Sequence, residues 1–292
     1  MNGLKTAILL GGLAGLLVGL GYLMGGPGMA LIALIFALVM NFFAFWFSDK
    51  LALRMAGARE VTPEEEPQLH AIVEEVAELA EIPKPKVFIV QNESPNAFAT
   101  GRSPSKAVVA CTTGIMRILD RRELRAVIGH EIGHVKNRDI LTASIAATIA
   151  GAISYIQMML MWGALLGGGR SRNGGYGIIF VFLASIVAAL VAGILQMAIS
   201  RTREYAADAS GAEYTGDPEA LARALGKLHN GVQARPMEEK ASAEAVSSLY
   251  IMHPFRESGG GGFSLARLFS THPPIEERIR RLRAMAGYAE WR

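Results

Sequence analysis

Gly129-His130-Glu131-Ile132-Gly133-His134-Val135-Lys136-Asn137-Arg138-Asp139 is the most informative stretch of this 292-residue chain. His130, Glu131 and His134 form the pattern H-E-x-x-H. On a helix, positions i and i+4 lie one turn apart on one face. Two imidazoles at that spacing can grip one zinc ion, and the intervening carboxylate projects to the side, where it can reach a water instead of the metal. Zinc acidifies water that it binds, and the carboxylate can then take the proton as general base. The spacing therefore predicts an active-site helix for zinc-dependent hydrolysis. Three strand candidates that precede it, together with this helix, predict a zincin-like α+β domain.

The helix has a sequence-level start. Asp120 and Glu123 form a capping box, and Leu124, Val127, Ile128, Ile132 and Val135 supply an apolar face. Upstream, Thr62-Pro63 with Glu64, Glu65 and Glu66 predicts another helix start, and Leu69, Ile72, Val73, Val76 and Leu79 predict its buried face. Lys86–Gln91, Asn96–Thr100 and Ala107–Thr112 predict three strands of a small sheet. Downstream, Asp217-Pro218 and Pro273-Pro274 each open a helix. In the last one, Ile275, Ile279, Leu282 and Met285 have core spacing. Arg278, Arg280, Arg281 and Arg283 are expected to face solvent or lipid headgroups.

A hydrolytic zinc needs a third protein ligand and an open position. Arg203-Glu204-Tyr205-Ala206-Ala207-Asp208 offers two candidates, Glu204 and Asp208, again at i, i+4. Ala206 and Ala207 are small enough to admit close helix packing. The spacing alone leaves the choice between the two carboxylates open.

Charge is distributed in blocks. Residues 49–142 carry 13 basic and 14 acidic residues, and residues 201–292 carry 13 and 12. Outside them stand only Lys5, Arg170 and Arg172, so four long stretches carry no charge: Ala7–Met24, Met29–Phe47, Ala143–Leu166 and Ile178–Ile199. Each has the length of a bilayer-crossing helix. With 51% hydrophobic and 19% charged residues, the composition also leans toward a membrane protein. The expected organisation is an N-terminal transmembrane hairpin (1–48), a first protease segment (49–142), a second hairpin that crosses or re-enters (143–200), and a second protease segment (201–292). Four transmembrane helices in two hairpins place both protease segments on one side, which the positive-inside rule assigns to the cytoplasm.

Several function classes drop out. The net charge of +3, without an aromatic-basic cluster, gives no reason to expect nucleic acid as a partner. The apolar runs contain no ionisable group of the kind a transporter uses. A single cysteine, Cys111, forms no intramolecular disulfide and reads as a small core residue. His70, His229 and His253 read as non-catalytic.

At Gly129–Asp139 and Arg203–Asp208 the chain resembles the HtpX-type membrane metalloproteases. Asn96–Gly101 and Ser270–Arg283 also match that family's pattern, in order along the chain. The resemblance implies one zinc per chain, bound by His130, His134 and Glu204, with Glu131 as general base. It implies that Asp208 orients a ligand histidine, with Arg203 nearby neutralising charge or pairing with Asp208. It implies that Asn96, Ala97, Phe98 and Ala99 form a sheet edge to which substrate adds as a strand. His272 either stabilises the tetrahedral oxyanion or packs against its neighbouring prolines as a helix-start residue. The implied role is that of an endopeptidase acting on unfolded or damaged membrane proteins at the bacterial inner membrane. Two alternatives remain: a protease for one prenylated peptide, and a membrane scaffold with a non-catalytic zinc, to which Glu131 would be of no use.

Overall fold

The computed structural model describes residues 2–101, 103–137, 139, 201–238, 246–255 and 273–287. Helix α1 (Asn2–Ala56) leads into strand β1 (Ala58–Glu60). Then come α2 (Pro67–Leu79), β2 (Lys86–Val90), β3 (Ala97–Thr100), a 3-10 turn (Pro104–Lys106) and β4 (Val108–Thr112). The short α3 (Thr113–Ile118) and the motif helix α4 (Arg121–Lys136) follow. Residues 201–215 form a helix, α5. After it come α6 (Pro218–Ala234) and α7 (Ile275–Met285).

The sheet has strand order β1-β2-β4-β3. The two central strands are parallel, and each edge strand is antiparallel to its neighbour. All five residues of β4 are buried, as expected for a strand covered on both faces. One face turns Val87, Ile89, Ala97, Ala99, Val109 and Cys111 into the main core with α2, α4 and α6. The other face sets Val90, Phe98 and Ala110 against Ala52 of α1 and against Met237, Val246, Tyr250 and Phe255. Cys111 is fully buried, and burial pushes its thiol pKa up, consistent with a core residue rather than a nucleophile.

The local expectations can be compared one by one. The three strands appear within a residue of their predicted limits. The Asp120–Glu123 capping box forms, with Glu123 N–H donating to Asp120 at 2.9 Å and Asp120 N–H donating to Glu123 at 3.0 Å. Asp217 caps α6 by accepting from Ala220 N–H at 3.0 Å. At Thr62 the helix starts later than predicted. Thr62 and Glu65 close a turn, with Glu65 N–H donating to the Thr62 carbonyl and Thr62 N–H to the Glu65 carboxylate. Helix α2 then begins at Pro67. A second proline four residues on resets the start, because it too fits a first helical turn.

The membrane architecture is corrected. Among the described residues, no helix is long and apolar enough to cross a membrane. The expected four transmembrane helices are therefore not supported, and the topology built on them goes with them. In the first predicted hairpin, Gly25–Gly28 does not form a loop. One helical element runs through Pro27 from Asn2 to Ala56. Gly26 adopts φ +66°, a conformation that glycine takes without strain, and Pro27 next to it tolerates a helical position whose N–H would be unbonded. The second predicted hairpin, with Arg170 and Arg172, lies outside the described residues.

Candidate metal centre

Helices α4 and α5 cross at glycines. A Cβ on Gly129 would lie 2.8 Å from Thr215, and one on Gly133 would lie 3.2 Å from the Ala207 carbonyl. A Cβ on Gly211 would reach 2.6 Å from the His130 backbone nitrogen. Distances this short leave no room for side chains, so the two backbones approach closely. Ala207 is buried in this contact, whereas Ala206 is exposed. The small-residue signal in REYAAD was thus half right, and Gly211 carries the rest.

This crossing brings residues from two distant parts of the sequence together. Ligand-type atoms of His130, His134 and Glu204 all lie within 4.8 Å of one another. His134 Nε2 is 3.4 Å from Glu204 Oε1, and His130 Nε2 is 3.7 Å from Glu204 Oε2. His130 Nδ1 lies 2.9 Å from Asp208 Oδ1. If the ring donates there, Nε2 is left as a bare lone pair directed at the shared point. Buried His130 Nε2 has no hydrogen-bond partner among the described residues. A buried polar atom in that state calls for an explanation. A cation between the two rings and the carboxylate supplies one, and the donor set of two nitrogens and one oxygen suits zinc.

The electrostatics favour positive charge at the same point. Burial opposes charge on His134, but Asp139, Glu204 and Glu131 outweigh it and lift its pKa to about 10. His130 moves the other way. Burial lowers its pKa against the pull of Asp208, which keeps the ring neutral. Glu131 is 2% exposed. Burial, with repulsion from Glu204, raises its pKa to about 7 despite nearby His134. Its carboxylate accepts a bond from Ala99 N–H, and its Oε1 has no hydrogen-bond partner among the described residues.

The residue that sequence reading misplaced is Arg278. Expected on a solvated surface, it is 1% exposed and is the largest fully buried side chain among the described residues. Its Nε and Nη2 donate to both Asp208 oxygens at 2.8 and 2.7 Å, and Nη1 donates to the Ile251 carbonyl at 3.2 Å. Nη1 is also 3.2 Å from Glu204 Oε2. Burial alone would raise the Asp208 pKa, yet Arg278 and His130 bring it down to about 2. A signal for this was present: Arg278 follows Ile275 by three and precedes Leu282 by four, so it occupies the apolar stripe of α7. Asp139 was also missed as a neighbour. Its Oδ2 is 3.5 Å from His134 Nδ1.

Other expected site residues fall as follows. Arg203 is partly buried, with its charge opposed by burial and favoured by Asp139 and Glu204, and it is Arg278 that binds Asp208. Ala97, Phe98 and Ala99 form edge strand β3, immediately preceded by Asn96. All four are buried. The Ala97 carbonyl already accepts from Ile251 N–H at 3.0 Å. The Asn96 side chain donates to the Met252 carbonyl at 2.8 Å and accepts from Met252 N–H at 3.2 Å. His272 lies outside the described residues. His70 bonds the Val61 carbonyl, His253 meets Phe255 edge-to-face, and neither belongs to the cluster.

Comparison with known proteins establishes the family. The model of Peptidase family M48 matches residues 63–286. A Protease HtpX homolog of Persephonella marina is 51% identical over 98% of this chain and 98% of its own length. The Protease HtpX homolog of Thermodesulfovibrio yellowstonii is 52% identical, over 98% and 99%. That of Thermococcus kodakarensis is 49% identical, over 97% and 96%. Among solved structures, the crystal structure of S. mikatae Ste24p superposes with a TM-score of 0.54 at 19% identity. The match covers 96% of this chain and 64% of that one, and at that identity it speaks for the fold alone. With the family model spanning both halves of the site and near-full-length relatives at about half identity, this chain belongs to peptidase family M48 and is a metalloprotease.

Proposed function

We propose that this protein is a zinc-dependent endopeptidase that works at a membrane, with one zinc per chain held by His130, His134 and Glu204. The observation that carries the reading is the buried Nε2 of His130, which has no hydrogen-bond partner among the described residues and lies beside the ligand-type atoms of His134 and Glu204. When bound, zinc would supply Lewis acidity to the scissile carbonyl and the attacking water. Asp208 fixes the His130 tautomer through Nδ1, and Arg278 fixes Asp208 with a two-pronged grip. Glu131, kept near neutrality in affinity for protons, takes one from water at Oε1 and passes it to the departing amine nitrogen.

Ala99 N–H on the outer edge of β3 bonds to Glu131, so that edge runs directly past the general base. Substrate aligned as an added strand there would present its backbone carbonyl to the site with little demand on side-chain identity. That suits unfolded or damaged membrane proteins as substrates. Residues 250–252 already use the Ala97 end of the edge, which leaves the Ala99 end for substrate. The membrane setting is supported by the second half of α1. Its side chains Leu31, Ile32, Ile35, Phe36, Leu38, Val39, Phe42, Phe43, Trp46 and Phe47 are all exposed, a larger apolar surface than water-facing helices carry.

Glu204→Ala tests the ligand set. The purified variant is expected to lose bound zinc, measured by metal analysis, and to lose peptide hydrolysis with it. Retention of a full equivalent of zinc would remove Glu204 from the centre.

A further inference from the structure

A second site lies on the face of the sheet away from α4. A cavity of about 700 Å³ opens between α1 and the leading ends of β2 and β4. That volume falls within the range of small-ligand sites. Its apolar wall comes from Phe42, Trp46, Phe47 and Leu53 of α1 and from Phe88 and Val108 of the sheet. Phe42 and Trp46 stand one helical turn apart with ring centroids separated by 6.0 Å. Four lysines also line it, Lys50 from α1 and Lys84, Lys86 and Lys106 from the sheet side, with one carboxylate, Asp49. Lys84 is paired with Glu74 and Lys86 with Glu60, both in exposed bridges. No carboxylate pairs with Lys50 or Lys106 among the described residues.

We infer that this cavity binds one anionic phospholipid, with the phosphate between Lys50 and Lys106 and an acyl chain along Phe42, Trp46 and Phe47. Three features favour that occupant. The site joins a positive end to an apolar wall, so the ligand must be amphiphilic. Neighbouring apolar side chains of α1, Phe43, Val39, Leu38 and Ile35, are exposed as well, so a chain longer than the cavity still finds apolar contact. Trp46 sits where the two characters meet, the position that tryptophan favours at a lipid–water boundary. Basic pockets beside apolar helices are the usual recognition site for anionic headgroups. The cavity shares no residue with the metal centre. The inference rests on the membrane reading given above.

The test uses the full-length protein in detergent micelles, with Trp162→Phe and Trp291→Phe so that Trp46 is the only tryptophan. Brominated phosphatidylglycerol and brominated phosphatidylcholine are titrated in as quenchers. Half-maximal quenching by the anionic lipid is expected at about thirtyfold lower mole fraction, from Lys50 and Lys106 together. Lys50→Gln with Lys106→Gln should abolish the difference while peptide hydrolysis in detergent stays unchanged. Lys106→Gln alone, on an exposed turn, should reduce it and serves if the double variant misfolds. Equal quenching by both lipids, or a preference that survives the lysine substitutions, would overturn the site but leave the membrane reading standing. No quenching by either lipid would remove both. Reversal of the preference by inorganic phosphate alone would identify a simple anion site and equally overturn the lipid assignment.

Discussion

Helix α7 carries arginines of two kinds within four residues. Arg278 is buried, tied to Asp208 by two hydrogen bonds, and set against Glu204. Arg280 and Arg281 lie on the exposed side, where both reach Glu277 in the same helix. The residue type is identical and the sequence separation is two. The difference is burial: Arg278 is cut off from water, whereas Arg281, although it lies over the Tyr205 ring of α5 at 3.8 Å, stays exposed. A guanidinium in water gains little from a carboxylate, because solvent screens the pair. The same group cut off from water is costly unless it is matched, and once matched it cannot be removed cheaply. Around the metal centre, charge therefore bears on function where the packing excludes water.

The largest expected effect follows at Arg278. Arg278→Met leaves Asp208 and Glu204 without their counter-charge inside the protein, and should cost about 3–5 kcal/mol in chemical denaturation. Arg278→Lys keeps the charge but not the fork, so a smaller loss is expected, together with weakened zinc binding. If Arg278→Met unfolds like wild type, the buried network is not the one described.

The helix crossing sharpens the same contrast between packed and open positions. Gly211→Ala would push a methyl against the His130 backbone, and a loss of about 1–3 kcal/mol is expected from overpacking. Gly226→Ala has only Ile279 Cδ1 at 4.0 Å to meet. It should instead stabilise α6 by about 0.5–1 kcal/mol, since alanine favours the helix. Thermal melts of the two variants side by side check both signs. Asp208→Asn is expected to weaken zinc binding by about 10–100-fold by disturbing the His130 tautomer, read by competition with a chelating dye. Unchanged affinity would mean that the His130–Asp208 contact is incidental. At the small end, Arg280→Gln and Arg281→Gln should leave both melting temperature and zinc affinity as in wild type. A clear drop from either would erase the distinction between the two kinds of arginine.

Most of the catalytic side of this molecule could be read from the sequence, because it is written in local spacing. H-E-x-x-H, the Asp120 capping box and the i, i+4 pair of Glu204 and Asp208 each fit within one or two helical turns. What escaped depended on long-range packing. Arg278 belongs to the apolar stripe of α7, but four arginines in six residues look like a solvated surface until the partner helix is known. Gly211 contributes only by lacking a side chain. Asn96–Ala99 does lie at a sheet edge as expected, but Ile251 and Met252 already hydrogen-bond to its Asn96–Ala97 end. In α1 the composition suggested a hairpin, whereas one helical element accommodates Gly26 and Pro27. Hydropathy counts apolar residues, and it does not by itself determine how their helices are arranged.

Glu131→Gln is the most direct test of the central claim. Glutamine keeps the size and shape of the side chain but cannot accept a proton from water at neutral pH. Zinc content and peptide hydrolysis should be measured on the same preparation. The account predicts that zinc remains at one equivalent per chain while hydrolysis falls by about two to four orders of magnitude. A variant that retains both zinc and wild-type turnover would show that Glu131 is not the base and that the chemistry belongs elsewhere.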